Sequence, residues 1–207
     1  TAGRVPLLVG ANDQTTARVI DEARRVEAVG VDAIVVTSPY CVIGNDTELR
    51  THFRSIASAV DVPVIAYDIP VRTHVKLPVN LVAELAAEGT LAGVKDSSGD
   101  DAGFRQLRLL TAGLEGFSLF TGHEVACDGA MLAGADGIVP GLGNVDPAGY
   151  RRLFDAANEG RWEDARAEQD RLVRLFRIVD VPNGRVSGGA AGLGAFKTAL
   201  VELGVIK

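Results

Sequence analysis

Short apolar runs alternate with amphipathic segments along most of this 207-residue chain, and this alternation constrains the fold more than any other feature. The segments between the runs carry apolar residues at helical spacing. Strands that alternate with helices form parallel sheets, and near-continuously apolar strands are buried on both faces. The sequence predicts six such strands: Val5–Val9, Ala33–Thr37, Val62–Asp68, Leu91–Val94, Phe117–Thr121 and Gly137–Pro140.

The segments between these strands carry helix signals at their ends. Thr15 can cap a helix that runs to about Val29, and Gly30 can end it. Pro78 suits the first turn of a later helix, and the stretch Val71–His74 before it is predicted as a loop. The six strands with their helices therefore form six βα units.

The pattern changes after residue 159, because no strand-like run follows. We expect two parts: residues 1–159 form the βα region, and residues 160–207 form a C-terminal helical extension. For this extension the sequence predicts a helix over Trp162–Ile178, a loop or broken helix over Asn183–Gly194, and a final helix over Ala195–Leu203.

Two α/β architectures accommodate the six units. A (β/α)₈ barrel needs eight strands, so two N-terminal units would be missing from this chain. An open doubly wound sheet needs no further strand. In both architectures, active sites lie at the carboxyl edge of the parallel strands, where loops gather.

Composition argues against several classes of function. The formal net charge of −6, without a Lys/Arg cluster, disfavours nucleic-acid binding. No apolar run approaches the ~18 residues of a membrane span, and no signal peptide opens the chain. Cys41 and Cys127 show no metal-ligand spacing and give no disulfide framework, so we expect a protein of the reducing cytoplasm.

Lys95 and Tyr67 stand at equivalent points of successive predicted strands, each at a carboxyl end. Burial at a strand end disfavours the ammonium form of a lysine, and a neutral amine can attack a ketone to form a Schiff base. A phenol beside that amine can carry its protons. The alternatives are a lysine that extends to solvent and a tyrosine that only fills the core.

Other polar residues follow neighbouring strand ends. The guanidinium of Arg72 can bind a carboxylate in a bidentate manner, as an α-keto acid or a second acidic substrate would require, or it can lie in solvent. The amides of Gly141–Asn144 suit a carboxylate or phosphate, but this stretch lacks the third glycine and the acidic residue of a dinucleotide site. Cys41 has no evident histidine partner, so we interpret it as incidental.

Three motifs in this order resemble one known family: YDIPVRT at Tyr67–Thr73, GVKDSSGD at Gly93–Asp100, and AGADGIVPGLGN at Ala133–Asn144. The family is that of dihydrodipicolinate synthase and N-acetylneuraminate lyase, which are class I aldolases. The resemblance implies a (β/α)₈ barrel with a C-terminal helical extension, of which this chain holds strands 3–8. It also implies a homo-oligomer, a tetramer or a dimer, that acts on pyruvate without a metal or other cofactor.

The same resemblance assigns roles to individual residues. Lys95 matches the Schiff-base lysine, and Tyr67 matches the tyrosine that relays protons to it. Tyr40 matches the first of two adjacent tyrosines in the synthase branch, with Cys41 at the second place. Arg72 matches the arginine that holds the carboxylate of the aldehyde substrate. A further position of the family, near the pyruvate site, corresponds to Val139 and contributes backbone contacts.

We therefore predict a Schiff-base lyase that joins pyruvate, or a 2-oxo acid that yields it, to an aldehyde. Three alternatives stay open at this point. The first is a sialic-acid or 2-keto-3-deoxy sugar-acid aldolase of the same family. The second is a phosphate- or nucleotide-binding enzyme built on the loop Gly141–Asn144. The third is a family member that binds or regulates without catalysis; binding to nucleic acid or to a membrane is not expected.

Overall fold

The computed structural model describes residues 1–41, 44–182 and 184–207. The chain forms two compact units, which are described separately. Unit 1 comprises residues 1–120 and 133–136, and unit 2 comprises residues 121–132 and 137–207. The sequence boundary between residues 159 and 160 stays a prediction.

Unit 1 contains a parallel sheet whose strands follow one another in chain order. Its strands are β1 (Leu8–Gly10), β2 (Ala33–Thr37), β3 (Val64–Asp68), β4 (Gly93–Asp96) and β5 (Ser118–Thr121), the last residue of which belongs to unit 2. β1 is shorter than predicted. The amide of Leu7 bonds to the Asp32 carboxylate, and Val5 is exposed, so the ladder begins only at Leu8.

Helices connect these strands. They are α1 (Thr16–Ala28), α2 (Asp46–Ala57), α3 (Pro70–Thr73), α4 (Val79–Ala87) and α5 (Asp101–Leu110). Of these, α1, α2 and α5 begin at residues whose side chains cap them. The Thr15 side chain caps α1 as predicted, and Asn45 with Glu48 forms a capping box at α2. Val42 and Ile43, which precede α2, lie outside the described residues.

The stretch Val71–His74 was predicted as a loop, and this prediction is wrong. It contributes to the single-turn helix α3, because Pro70 fixes a helical φ at the first position and the Thr73 amide bonds to the Ile69 carbonyl. His74 ends the turn in the left-handed region at φ 60°. Arg72 therefore lies on a helical turn rather than on an extended loop.

The two faces of the unit 1 sheet differ in burial. On one face, Ile34, Val36, Val64, Ala66 and Val94 are buried, and this is the centre of the apolar core. On the opposite face, the strands end in half-buried Thr37, Tyr67 and Lys95, which lie side by side in the strand register. The polar side chains that a small molecule could reach therefore lie at the carboxyl edge of the less buried face.

A buried histidine joins three elements behind this edge. His52 of α2 is 2% exposed; its Nε2 lies 3.1 Å from the Thr37 carbonyl oxygen, and its Nδ1 lies 3.0 Å from Thr16 Oγ1. The carbonyl can only accept, so Nε2–H donates to it and Nδ1 accepts from the threonine hydroxyl. Burial lowers the pKa of His52 below its ordinary value, despite the bond to Thr37.

We expect the free energy of unfolding to fall as the pH drops below about 6.5, the ordinary pKa of histidine. Between that value and the lower folded pKa of His52, the unfolded chain binds one more proton at this site than the folded chain. The slope contributed by one proton is at most about 1.4 kcal/mol per pH unit. Urea unfolding between pH 5 and 8 measures it, and a His52→Gln variant serves as the control. An equal slope in both proteins would contradict the assignment to His52.

Unit 2 is mainly helical within the described part of the chain. Its elements are β6 (Gly137–Ile138), α6 (Cys127–Leu132), α7 (Pro147–Asn158), α8 (Trp162–Phe176) and α9 (Gly188–Glu202), with 3₁₀ turns at Gly141–Asn144 and Arg177–Asp180. Buried Gln169 of α8 accepts from the Cys127 amide and donates to the Glu124 carbonyl. This side chain satisfies the first turn of α6 and anchors α8 to it.

Asn183–Gly194 was predicted as a loop or broken helix, but from Gly188 onward the stretch belongs to the continuous helix α9. Ser187 caps α9 by accepting from the Ala190 amide, and Ala190 and Ala191 offset the low helix propensity of the neighbouring glycines. Asn183 lies outside the described residues. Among the helices of residues 1–41, 44–182 and 184–207, none is both long and apolar enough to cross a membrane.

Candidate active site

Tyr67 and Lys95 are brought together by strand register. The two residues are direct partners of the β3–β4 ladder, so both side chains leave the same face of the sheet at the same level. The Lys95 Nζ lies 4.1 Å from the centroid of the Tyr67 ring. The amine therefore lies over the face of the Tyr67 ring, which attracts a cation. The phenol hydroxyl belongs to the same side chain.

The Lys95 amine has no carboxylate partner among the residues that the structure describes. Both aspartates that adjoin the pair in sequence, Asp68 and Asp96, leave the opposite face of their strands and are buried there. Their partner is Lys76: its Nζ bonds to Asp68 and lies 3.6 Å from Asp96 Oδ2. The half-buried Lys95 therefore remains available to react, because the nearby acids lie on the opposite face and pair with a different lysine.

Sequence reasoning missed this ion cluster. The Lys76 ammonium is about one third exposed, whereas the two carboxylates are 2% and 6% exposed. Burial opposes the charge on Lys76, but the bond to Asp68 and the field of Asp96 outweigh it and raise the pKa of Lys76. Burial also raises the pKa of Asp68, against the effect of Lys76. The signal in the sequence was the acidic residue that follows each of Tyr67 and Lys95.

Arg72 and Tyr40 also lie in unit 1, at the carboxyl ends of neighbouring strands. Arg72 is exposed on α3, four residues after β3, and Tyr40 is half-buried, three residues after β2. Within the described residues, neither makes a hydrogen bond or an ion pair with Lys95 or Tyr67. The structure thus brings Tyr67 and Lys95 together, and within the described residues it shows no hydrogen bond or ion pair from Arg72 or Tyr40 to this pair.

Val139 belongs to unit 2, where it follows β6. Its amide donates to the Thr121 carbonyl at 2.7 Å and its side chain is exposed. In the same unit the Gly141 amide donates to the Glu124 carboxylate at 2.9 Å. A carboxylate already on this amide disfavours a bound phosphate there, which weakens the phosphate-binding alternative. The expected contact of Val139 with substrate stays a prediction.

Solved structures resemble the whole chain. It superposes on dihydrodipicolinate synthase from Aquifex aeolicus with a TM-score of 0.88 at 28% identity, over 100% of this chain and 67% of that one. The synthase from Bacteroides thetaiotaomicron gives a TM-score of 0.90 at 26% identity, over 100% and 68%. These neighbours confirm the predicted fold class: βα units of a (β/α)₈ barrel with a C-terminal helical extension.

Sequence relatives point the same way. A 4-hydroxy-tetrahydrodipicolinate synthase from Hyphomonas neptunium is 36% identical over 178 residues, 86% of this chain and 61% of the relative. A synthase of the same name from Xanthomonas axonopodis pv. citri is 36% identical over 172 residues, which are 83% of this chain and 56% of that relative. The chain thus spans about three fifths of the length of the curated relatives that it matches.

Fold and site together define an α/β protein with parallel strands and a lysine–tyrosine pair at the carboxyl edge of its sheet. The sequence model of the Dihydrodipicolinate synthetase family matches residues 1–188. The chain belongs to this family, as the three motifs predicted.

Proposed function

We propose that this protein is a class I lyase of the dihydrodipicolinate synthase type, in which Lys95 forms a Schiff base with pyruvate. The observation that carries the proposal is the Lys95 amine 4.1 Å from the ring of Tyr67, on a strand face where no acid pairs with it within the described residues. Membership of the family supports the same chemistry, since the relatives are named 4-hydroxy-tetrahydrodipicolinate synthase.

The proposed reaction begins when the neutral Lys95 amine attacks the C2 carbonyl carbon of pyruvate. The carbinolamine takes a proton from the Tyr67 hydroxyl and loses water, which leaves an iminium ion. The iminium draws electrons from the neighbouring C–H bond, so transfer of a methyl proton to the Tyr67 phenolate yields an enamine and restores the phenol. The enamine carbon then forms a bond to the carbonyl carbon of an aldehyde. The lysine supplies the electron sink, so this route uses no metal or other cofactor.

Three more residues complete the proposal. Arg72 would bind the carboxylate of the aldehyde substrate, because its exposed guanidinium stands on the turn just after Tyr67. Tyr40 would extend the proton relay from the end of β2, and Val139 would contact substrate through its backbone. A carboxylated aldehyde favours the synthase branch over the sugar-acid aldolases. We place the enzyme in the cytoplasm as a homo-oligomer on the basis of the family resemblance.

Trapping the Schiff base tests the proposal directly. We expect the natural full-length protein, incubated with pyruvate and borohydride, to gain one pyruvyl group in its intact mass. Peptide mapping should place that group on Lys95. The 207 residues contain four lysines, at positions 76, 95, 197 and 207, and peptide mapping distinguishes Lys95 from the other three.

Two variants are the controls for the trapping experiment. Lys95→Ala should form no adduct, and Lys197→Met, which changes an exposed lysine of unit 2, should react as the natural protein does. A natural protein that forms no adduct, or a Lys95→Ala variant that still forms one, would contradict the proposed function.

A further inference from the structure

Two buried acids directly follow the two candidate catalytic residues along the chain. Asp68 comes after Tyr67 at the end of β3, and Asp96 comes after Lys95 at the end of β4. The two aspartates are register partners, so their side chains leave neighbouring strands at the same level, about 4.8 Å apart along the sheet. Like charges placed opposite each other in this way repel, and burial strengthens the repulsion.

Lys76 offsets this repulsion by contacting both acids. Its Nζ bonds to Asp68 and lies 3.6 Å from Asp96 Oδ2. Backbone amides hold the acids in place: Leu77 donates to Asp68 Oδ1 at 3.2 Å, and Ser98 donates to Asp96 Oδ1 at 2.7 Å. The ammonium thus links the ends of two adjacent strands through side chains whose positions are fixed.

The link acts on the candidate active site through the two strands themselves. Because consecutive residues of a strand point to opposite faces, a displacement that separates Asp68 from Asp96 also separates Tyr67 from Lys95. Past the pair, the ladder continues through the Ser97 amide, which donates to the Asp68 carbonyl at 2.8 Å. The ionic link therefore adds to the backbone ladder at the strand ends where the amine and the phenol lie.

We propose that Lys76 is a positioning residue: by linking Asp68 to Asp96 on one face of the sheet, it holds Tyr67 beside the Lys95 amine on the other. This inference rests on the proposed function, since it describes how the same site is kept in reactive geometry. Within the described residues, the Lys76 Nζ bonds to Asp68 and the Leu77 carbonyl and not to the Lys95 amine or the Tyr67 hydroxyl.

Replacement of Lys76 separates a positioning role from a binding role. In Lys76→Met, the first-order rate constant of pyruvyl-adduct formation at saturating pyruvate should fall tenfold or more, since a misplacement of about 1 Å can cost about 10²-fold in rate. The pyruvate concentration at half-saturation should stay unchanged. Lys76→Arg keeps a cation that can bridge two carboxylates and should retain the natural rate constant. A Lys76→Met variant with the natural rate constant, or a Lys76→Arg variant as slow as Lys76→Met, would overturn the proposal.

A double variant separates positioning from stability. Lys76→Met leaves two buried carboxylates unpaired and can unfold part of the protein. Adding Asp68→Asn removes one charge, while its side-chain oxygen still accepts from the Leu77 amide. The double variant should melt close to the natural protein and still react slowly, because no cation joins the strand ends. Recovery of the rate constant together with stability would show that Lys76 only balances charge, and the proposal would be rejected.

Failure of the proposed function is distinguishable from failure of this inference. If the natural protein forms no adduct on Lys95, the Schiff-base function is wrong, and the position of Lys95 is then measured directly in a crystal structure of the double variant. A distance from Lys95 Nζ to the Tyr67 ring centroid that still equals 4.1 Å would overturn the positioning role. A clearly longer distance would support it without any substrate.

Discussion

Replacing Tyr67 with phenylalanine is expected to slow the formation of the pyruvyl adduct on Lys95 by about 10²- to 10⁴-fold, the usual contribution of a positioned acid or base. The substitution removes the hydroxyl and keeps the ring, so the aromatic face 4.1 Å from the Lys95 Nζ is preserved. What disappears is the group that we propose to protonate the leaving hydroxyl of the carbinolamine. The rate should therefore fall although the packing of the site is retained.

The measurement is a time course of borohydride trapping at saturating pyruvate, read by intact mass. A thermal melt of each variant excludes loss of folded protein as the cause of a slower rate. Tyr40→Phe is the comparison variant, because Tyr40 lies after β2 and makes no hydrogen bond to Lys95 within the described residues. A Tyr67→Phe variant that forms the adduct at the natural rate would show that another group carries the proton, and Tyr67 would lose its assigned role.

The strands were predictable from sequence where clear signals mark both of their ends. β2 occupies the predicted residues Ala33–Thr37, because its β-branched run is bounded by Asp32 and by Ser38-Pro39. β6 contains only Gly137–Ile138 of the predicted Gly137–Pro140. Apolar composition alone could not locate that end, since whether a residue joins a ladder depends on the neighbouring strand rather than on its own side chain.

The Tyr67–Lys95 pair at the centre of the candidate site was predictable, because the carboxyl ends of parallel strands lie at one edge of the sheet. Tyr67 and Lys95 end successive strands, and the register of β3 and β4 makes them direct partners. Lys76 was not predictable from periodicity, because it lies between helices α3 and α4 in a stretch without a repeating pattern. Its role follows only once the fold has placed Asp68 and Asp96 side by side and buried them.

The largest effect on stability is expected for Gly93→Ala, two residues before Lys95 on the same face of β4. A Cβ at Gly93 would lie 2.6 Å from the carbonyl oxygen of Ser118 on β5, closer than such atoms approach in proteins. This neighbour is backbone and cannot rotate away. Ser118 is also held in place, because its amide donates to the Ala92 carbonyl at 3.0 Å. We expect a loss of about 3 kcal/mol in the free energy of unfolding, the upper range for overpacking of a core.

Gly129→Ala is the matched control for this substitution. Gly129 lies within α6, and among the described residues a Cβ there would meet no atom within 4 Å beyond its chain neighbours and the adjacent backbone of the helix, so the same change should stabilise the protein by about 0.5–1 kcal/mol. Urea unfolding of both variants gives the comparison. A Gly93→Ala variant as stable as the natural protein would mean that β4 and β5 have room to separate. The strand that carries Lys95 would then be loosely held on its β5 side. Contacts with β3 alone would position the Lys95 amine.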